Sequence, residues 1–193
     1  SGTGGNNTKI GTDGADTLSG LGNSDVLNGA KGNDLVYGGS DNDTLMGGQG
    51  DDRLFGEAGR DILKGNLGDD TLSGGGDVDF FAMEPGGGRD VVTDFTLSER
   101  IDVTAFGTNE HGYTLTQTSD GALISYGDTS MLLKGVQAAN LQAGNFIFNT
   151  PAALQPVQSS IAPTPTPTPT QTAGVNWVGT ASNDLKVGTD GAD

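Results

Sequence analysis

Gly38-Gly39-Ser40-Asp41-Asn42-Asp43-Thr44-Leu45-Met46 is followed at once by Gly47-Gly48-Gln49-Gly50-Asp51-Asp52-Arg53-Leu54-Phe55, and the two stretches are one pattern written twice. Each opens on glycine, carries Asp at its sixth place and Leu at its eighth. The register extends in both directions at a spacing of nine. First places read Gly2, Gly11, Gly20, Gly29, Gly38, Gly47, Gly56, Gly65 and Gly74. Sixth places read Asn7, Asp16, Asp25, Asp34, Asp43, Asp52, Asp61, Asp70 and Asp79. Eighth places read Lys9, Leu18, Leu27, Val36, Leu45, Leu54, Leu63, Leu72 and Phe81. Fourth places hold Gly14, Gly32, Gly50, Gly59 and Gly68, or Asn23, Asp41 and Asp77. Such a run of Asp at one spacing, each with an apolar residue two places on, is an internal repeat, which marks a chain that stacks on itself.

The residue types set the chemistry. Glycine admits positive φ, so the opening half of each frame turns tightly and exposes backbone carbonyls on its concave side. Those carbonyls and the sixth-place carboxylate are hard oxygen ligands of the kind Ca²⁺ takes. The last three places alternate polar, apolar, polar, which predicts a short strand with one buried side chain. Two frames make one coil of 18 residues, so equivalent Asp stack along two opposite edges. Asp16, Asp34, Asp52 and Asp70 form one column, and Asp25, Asp43, Asp61 and Asp79 the other. Stacked carboxylates repel unless cations lie between them, and the gaps in the two columns call for on the order of six ions. The thin Leu column alone is not expected to offset the entropy of ordering so many glycines. Folding of this half is therefore expected to require calcium.

The pattern resembles the RTX (repeats-in-toxin) nonapeptide, Gly-Gly-x-Gly-x-Asp-x-Leu-x, and residues 47–55 match it closely. The resemblance implies a parallel β-roll in which each ion sits between two loops on the same edge. It also implies a ligand set: the eight sixth-place carboxylates, with backbone carbonyls from the first four places. Carried onto this chain, those carbonyls come from Gly29, Lys31, Gly38, Gly39, Ser40, Asp41, Gly47, Gly48 and Gly50. Asn7 and Lys9 make the first frame degenerate.

After Phe81 the nine-residue register stops. Alternating segments over 113–117, 122–126, 130–134 and 145–148, with Asp120-Gly121 as a hairpin turn, predict a mostly β segment. Its expected core includes Phe80, Phe81, Phe95, Phe106, Phe146 and Phe148. It is expected to cap the open end of the coil, and it resembles the segment that follows the repeat in serralysin-type metalloproteases. Asp77 within the last turn and Asp90 at the junction are secondary metal candidates. Asp90 and Asp94 read equally well as solvated or capping carboxylates.

Pro and Thr alternate from Pro163 to Thr170, which predicts an extended polyproline spacer over 150–178. Residues 179–193 then repeat 2–16, down to a shared Gly-Thr-Asp-Gly-Ala-Asp block, and read as the start of a second module. The expected organisation is all-β: a roll over 2–82, a β cap over 83–149, the linker, and a neighbouring module of the same kind.

Composition narrows the partners. A net charge of −16 disfavours nucleic acid and anionic lipid and attracts cations. There is no cysteine, hence no disulfide framework, and bound metal is the alternative staple. No apolar run reaches a membrane span. Ser1-Gly2-Thr3-Gly4-Gly5 is not a signal peptide, so export without an N-terminal signal, or excision from a larger protein, is expected. With one histidine, His111, no triad or histidine-rich zinc site assembles, and the chain is expected not to be an enzyme. The leading expectation is a calcium-binding module of a large secreted, extracellular bacterial protein. RTX proteins leave by type I secretion, unfolded where calcium is low and folding outside. Two alternatives stand beside it. One is a carbohydrate-binding accessory module of a polysaccharide-acting enzyme, which the similarity to repeats of secreted mannuronan epimerases suggests. The other is an adhesin or surface-layer spacer.

Overall fold

A computed structural model describes residues 5–107 and 112–148. The predicted linker, the second repeat and His111 lie outside the described residues. The strands in chain order are β1 (Thr8–Ile10), β2 (Thr17–Gly22), β3 (Val26–Lys31), β4 (Leu35–Ser40), β5 (Thr44–Gln49), β6 (Arg53–Ala58), β7 (Ile62–Leu67), β8 (Thr71–Gly76), β9 (Phe80–Ala82), β10 (Arg89–Val92), β11 (Arg100–Asp102), β12 (Thr114–Gln117), β13 (Gly121–Tyr126), β14 (Thr129–Lys134) and β15 (Phe146–Ile147).

Successive strands alternate between two sheets. One runs β1-β3-β5-β7-β9-β11-β15, the other β12-β13-β14-β10-β8-β6-β4-β2. Within the repeat every pairing is parallel and offset by 18 residues, as in Leu54↔Leu72 and Leu45↔Leu63. Two frames therefore make one coil. The fold is an all-β parallel roll.

The strands are longer than the alternating triplet suggested. Six-residue strands run from the seventh place of one frame into the third place of the next. The backbone keeps pairing through the glycines because its kinks are local. Second and fourth places take positive φ in every frame from 20 to 82, as at Gly48 (117°) and Gly50 (120°). Seven of these fourteen positions are not glycine: Leu21, Asn23, Ala30, Asp41, Glu57, Asn66 and Asp77.

The eighth places form the core. Leu27, Val36, Leu45, Leu54, Leu63, Leu72 and Phe81 are fully buried between the sheets. Lys9 stands at the same place in the first coil, where its ammonium donates to the Ser19 carbonyl. Beyond the repeat, β14 pairs in parallel with β10 and antiparallel with β13, extending the second sheet edge to edge. Leu115, Ala122, Ile124, Met131 and Leu133 carry the same apolar cluster onward. Phe81, Phe95 and Phe146 are buried in it, and Phe106 and Phe148 pack against it. Phe80 is a correction: it sits at a seventh place, faces outward, and has the Arg60 guanidinium over its ring at 4.5 Å.

Candidate metal centre

The sixth-place Asp residues from Asp25 to Asp70 are each held by three bonds to neighbouring coils. Asp61 shows the arrangement. Its Oδ1 accepts the backbone N–H of Asp43 at 2.7 Å, its own N–H donates to Oδ1 of Asp79 at 2.8 Å, and its carbonyl accepts from Phe80 at 2.9 Å. The same link joins Asp16 to Asp34, Asp25 to Asp43, Asp34 to Asp52 and Asp52 to Asp70, at 2.7 to 2.8 Å. The carboxylates thus form two continuous ladders along the edges of the roll.

These bonds use one oxygen of each carboxylate. Among the described residues, the other oxygen, Oδ2, is buried without a hydrogen-bond partner at Asp25, Asp34, Asp43, Asp52, Asp61, Asp70 and Asp79. A native fold leaves only a few such groups unmatched, because each costs its full desolvation penalty. Seven at equivalent places amount to a design for something that is not protein. The first-place glycines explain the room. A Cβ at Gly47 would press into Oδ2 of Asp52 and lie 2.6 Å from the Gly65 carbonyl oxygen; at Gly56 it would meet Oδ2 of Asp61 and, at 2.5 Å, the Gly74 oxygen. From Gly11 to Gly56, a carboxylate oxygen and a carbonyl oxygen of the next coil converge beside each first-place glycine. Two acceptors facing each other need a cation or a proton. No three His, Cys, Asp or Glu side chains converge among the described residues, so a cation here takes its remaining oxygens from the backbone. Hard oxygens of both kinds are the donor set of Ca²⁺. The residues fit the ion.

The electrostatics agree. Burial pushes the carboxyls of Asp52 and Asp61 up to about 7 and those of Asp43, Asp70 and Asp79 to about 6, against the pull of the backbone N–H each accepts. Neighbouring carboxylates add to the rise at each of them. Asp16, at the open end, is the exception: the backbone and hydroxyl of Thr12 donate to it and hold its carboxyl below the usual range.

The profile of the RTX calcium-binding nonapeptide repeat matches this chain four times, over residues 1–36, 10–45, 20–54 and 46–81. Residues 1–81 belong to the RTX repeat family. RTX nonapeptides bind Ca²⁺, as a structural repeat and not a catalytic one. Two solved structures are similar to the chain. The solution structure of the AlgE6R3 subunit from the Azotobacter vinelandii mannuronan C5-epimerase is 25% identical, with 93% of this chain and 94% of that one covered and a TM-score of 0.49. The crystal structure of the extracellular lipase LipA from Serratia marcescens is 18% identical, with 72% of this chain and 40% of that one covered and a TM-score of 0.40. Curated protein sequences give no match.

The RTX roll brings together Asp25, Asp34, Asp43, Asp52, Asp61, Asp70 and Asp79 as buried ladder members, with Asp16 half-exposed at its start. Gly29, Gly38 and Gly47 are buried beside those carboxylates, and Gly39, Gly48 and Gly50 sit at the positive-φ kinks of the same loops. Lys31, Ser40 and Asp41 are exposed; the Lys31 side chain pairs with Asp13 at 2.8 Å, and Asp41 accepts from the Asn23 N–H. Asp77 is exposed at a fourth-place kink. Asp90 is buried and continues one ladder, accepting the Asp70 N–H at 3.1 Å, and burial lifts its carboxyl to about 8. Asp94 is a capping carboxylate: its two oxygens accept from Ser73 Oγ, Gly74 N–H and Gly75 N–H. The fifth-place Asp51 and Asp69 are exposed, and they form an outer ladder running the opposite way, with Asp69 N–H donating to Asp51 and Arg89 N–H to Asp69.

Sequence reasoning missed Glu99. It is buried, and its Oε1 has no hydrogen-bond partner among the described residues. A signal was present. Asp90-Val91-Val92 and Glu99-Arg100-Ile101 both place an apolar residue two after an acid, and they stand nine apart. The repeat resumes after a two-residue insertion that breaks its frame, matching the observed 20-residue offset of Arg100↔Phe80.

Proposed function

We propose that this chain is a calcium-loaded RTX module of a large secreted protein, folding when it meets calcium outside the cell and stabilising the protein that carries it. The observation behind this reading is the set of seven buried, unpartnered carboxylate oxygens. Ionised and empty, they oppose the fold; neutralised by cations, they hold its coils together. Binding energy and folding energy are then the same quantity. Low calcium inside the cell leaves the chain unfolded and exportable, and millimolar calcium outside folds it. On the order of six ions fill the two ladders. Among the described residues no helix is long and apolar enough to cross a membrane. Hydrogen exchange with and without calcium tests the reading: protection of the repeat amides only with calcium supports it, and equal protection in chelator overturns it.

A carbohydrate-binding role is a second reading, favoured by one observation. Tyr37 and Phe55 stack at 5.1 Å on the outer face of the second sheet, beside the exposed Arg53. Such a pair offers a rigid, half-exposed apolar patch with a hydroxyl at its edge, against which the apolar side of a sugar ring can pack. The chain's charge favours a neutral glycan over a polyanion. Binding on a glycan array that disappears in a Tyr37→Ala/Phe55→Ala variant supports this reading; its absence in the calcium-loaded protein removes it.

A further inference from the structure

We propose that the calcium ladder does not end with the nonapeptides, and that Glu99 with Asp79 forms a terminal divalent-cation site outside the repeat. This rests on the calcium reading of the ladder and extends it to a residue type the repeat never uses at its sixth place.

The backbone puts the two acids side by side. Arg100 pairs with Phe80, and the Arg100 N–H donates to the Asp79 carbonyl at 3.1 Å. Glu99 therefore occupies, one coil on, the place of Asp79. Both side chains are almost fully buried, and each carries one oxygen, Asp79 Oδ2 and Glu99 Oε1, with no hydrogen-bond partner among the described residues. Asp79 Oδ2 lies beside Gly74 of its own frame, as the equivalent oxygens lie beside their first-place glycines. The coil here is two residues longer than those before it, and the acid that closes it is one methylene longer than Asp.

The surroundings fix Glu99 and, among the described residues, offer it no neutralising partner. Its Oε2 accepts the Thr96 N–H at 2.8 Å and its own N–H donates to the Thr96 carbonyl at 3.1 Å. Asn145, buried just before β15, donates to the carbonyls of Leu97 and Glu99 and holds the loop from the far side. A further acid, Asp94, is already spent on the Ser73–Gly75 backbone and side chain. Arg100 turns away to the carbonyls of Ser98 and Glu99. Two buried carboxylates without a basic partner accept a hard cation, with backbone carbonyls completing its shell. Such an ion ties the segment after the repeat to the last RTX coil, so the end of the roll is closed by metal as well as by apolar contact.

The test counts calcium by native mass spectrometry and calorimetry in the wild-type chain, Glu99→Gln and Asp94→Asn. Glu99→Gln is expected to bind one ion fewer and to keep the others. Asp94→Asn is expected to bind the full number, since its oxygens are already occupied by protein donors. An unchanged count and unchanged affinities in a folded Glu99→Gln overturn the proposal while leaving the ladder reading intact. A wild-type chain that binds no calcium overturns both. Should Glu99→Gln fail to fold, Glu99→Asp is measured instead. One weakened binding step, roughly tenfold or more, supports the site, and a profile identical to wild type overturns it.

Discussion

Replacing Asp61 by Asn has opposite effects with and without calcium. In the folded roll without metal, burial holds the Asp61 carboxyl at about 7; in the unfolded chain it sits near the usual value of about 3.9. Near neutral pH that difference opposes folding by roughly 4 kcal/mol, at about 1.4 kcal/mol per pKa unit. Asparagine removes the charge, keeps an oxygen to accept the Asp43 N–H, and places an amide donor where Asp61 Oδ2 and the Gly74 carbonyl converge. In chelator, Asp61→Asn is therefore expected to be more stable than wild type by about 2 to 4 kcal/mol. In saturating calcium it loses a ligand and is expected to be less stable by about 3 kcal/mol or more, the linkage value of one ion held at a hundredfold its dissociation constant. Circular dichroism reads both limbs: urea unfolding in calcium, and osmolyte-induced folding in chelator, which brings a weak metal-free fold into range. A variant that is destabilised in chelator and unaffected in calcium would mean that the Asp61 charge is satisfied by protein alone and holds no ion.

Three further outcomes are expected. In chelator the metal-free roll should gain stability on acidification: Asp43, Asp52, Asp61, Asp70 and Asp79 have folded-state pKa values of about 6 to 7, so their contribution is complete below about pH 4 and lost as pH rises through about 6 to 7. Calcium displaces those protons, so the loaded protein should show the reverse trend; parallel pH profiles in the two conditions would contradict this. Leu54→Ala, at a fully buried rung, should cost the calcium-loaded protein about 2 to 5 kcal/mol in urea unfolding, and a cost under about 1 kcal/mol would mean the core column contributes little. Glu57→Gly should raise stability by roughly 1 kcal/mol by relieving a positive φ of 75° in a residue with a Cβ, whereas Gly48→Ala at the equivalent place should lower it.

The roll was legible in the sequence because every coil repeats the same demand. An Asp at the sixth place and a Leu at the eighth, nine residues apart, specify the edge ladder, the core column and the 18-residue register at once. The strand lengths were not legible. Glycine-rich places read as turn, yet the backbone stays paired through Gly47 and Gly48 because its positive-φ kinks are single residues between extended ones. The outward Phe80 was misjudged by composition, since a phenylalanine beside the core Phe81 looks apolar in sequence whichever face it occupies. Asp90 was recognised and Glu99 was not, because a two-residue insertion shifted both off the count of nine while the parallel pairing absorbed it. The outer ladder through Asp51 and Asp69 escaped notice because exposed acids look solvated until the backbone N–H of the next coil is placed against them.

A calcium titration followed by circular dichroism, with bound ions counted by calorimetry and Mg²⁺ as control, decides whether the Asp ladders fold the chain by holding metal. The expected result is a coil-to-strand transition coupled to the binding of several Ca²⁺ and not reproduced by Mg²⁺. A chain equally folded in chelator, or one that takes up no calcium, would rule out calcium-driven folding.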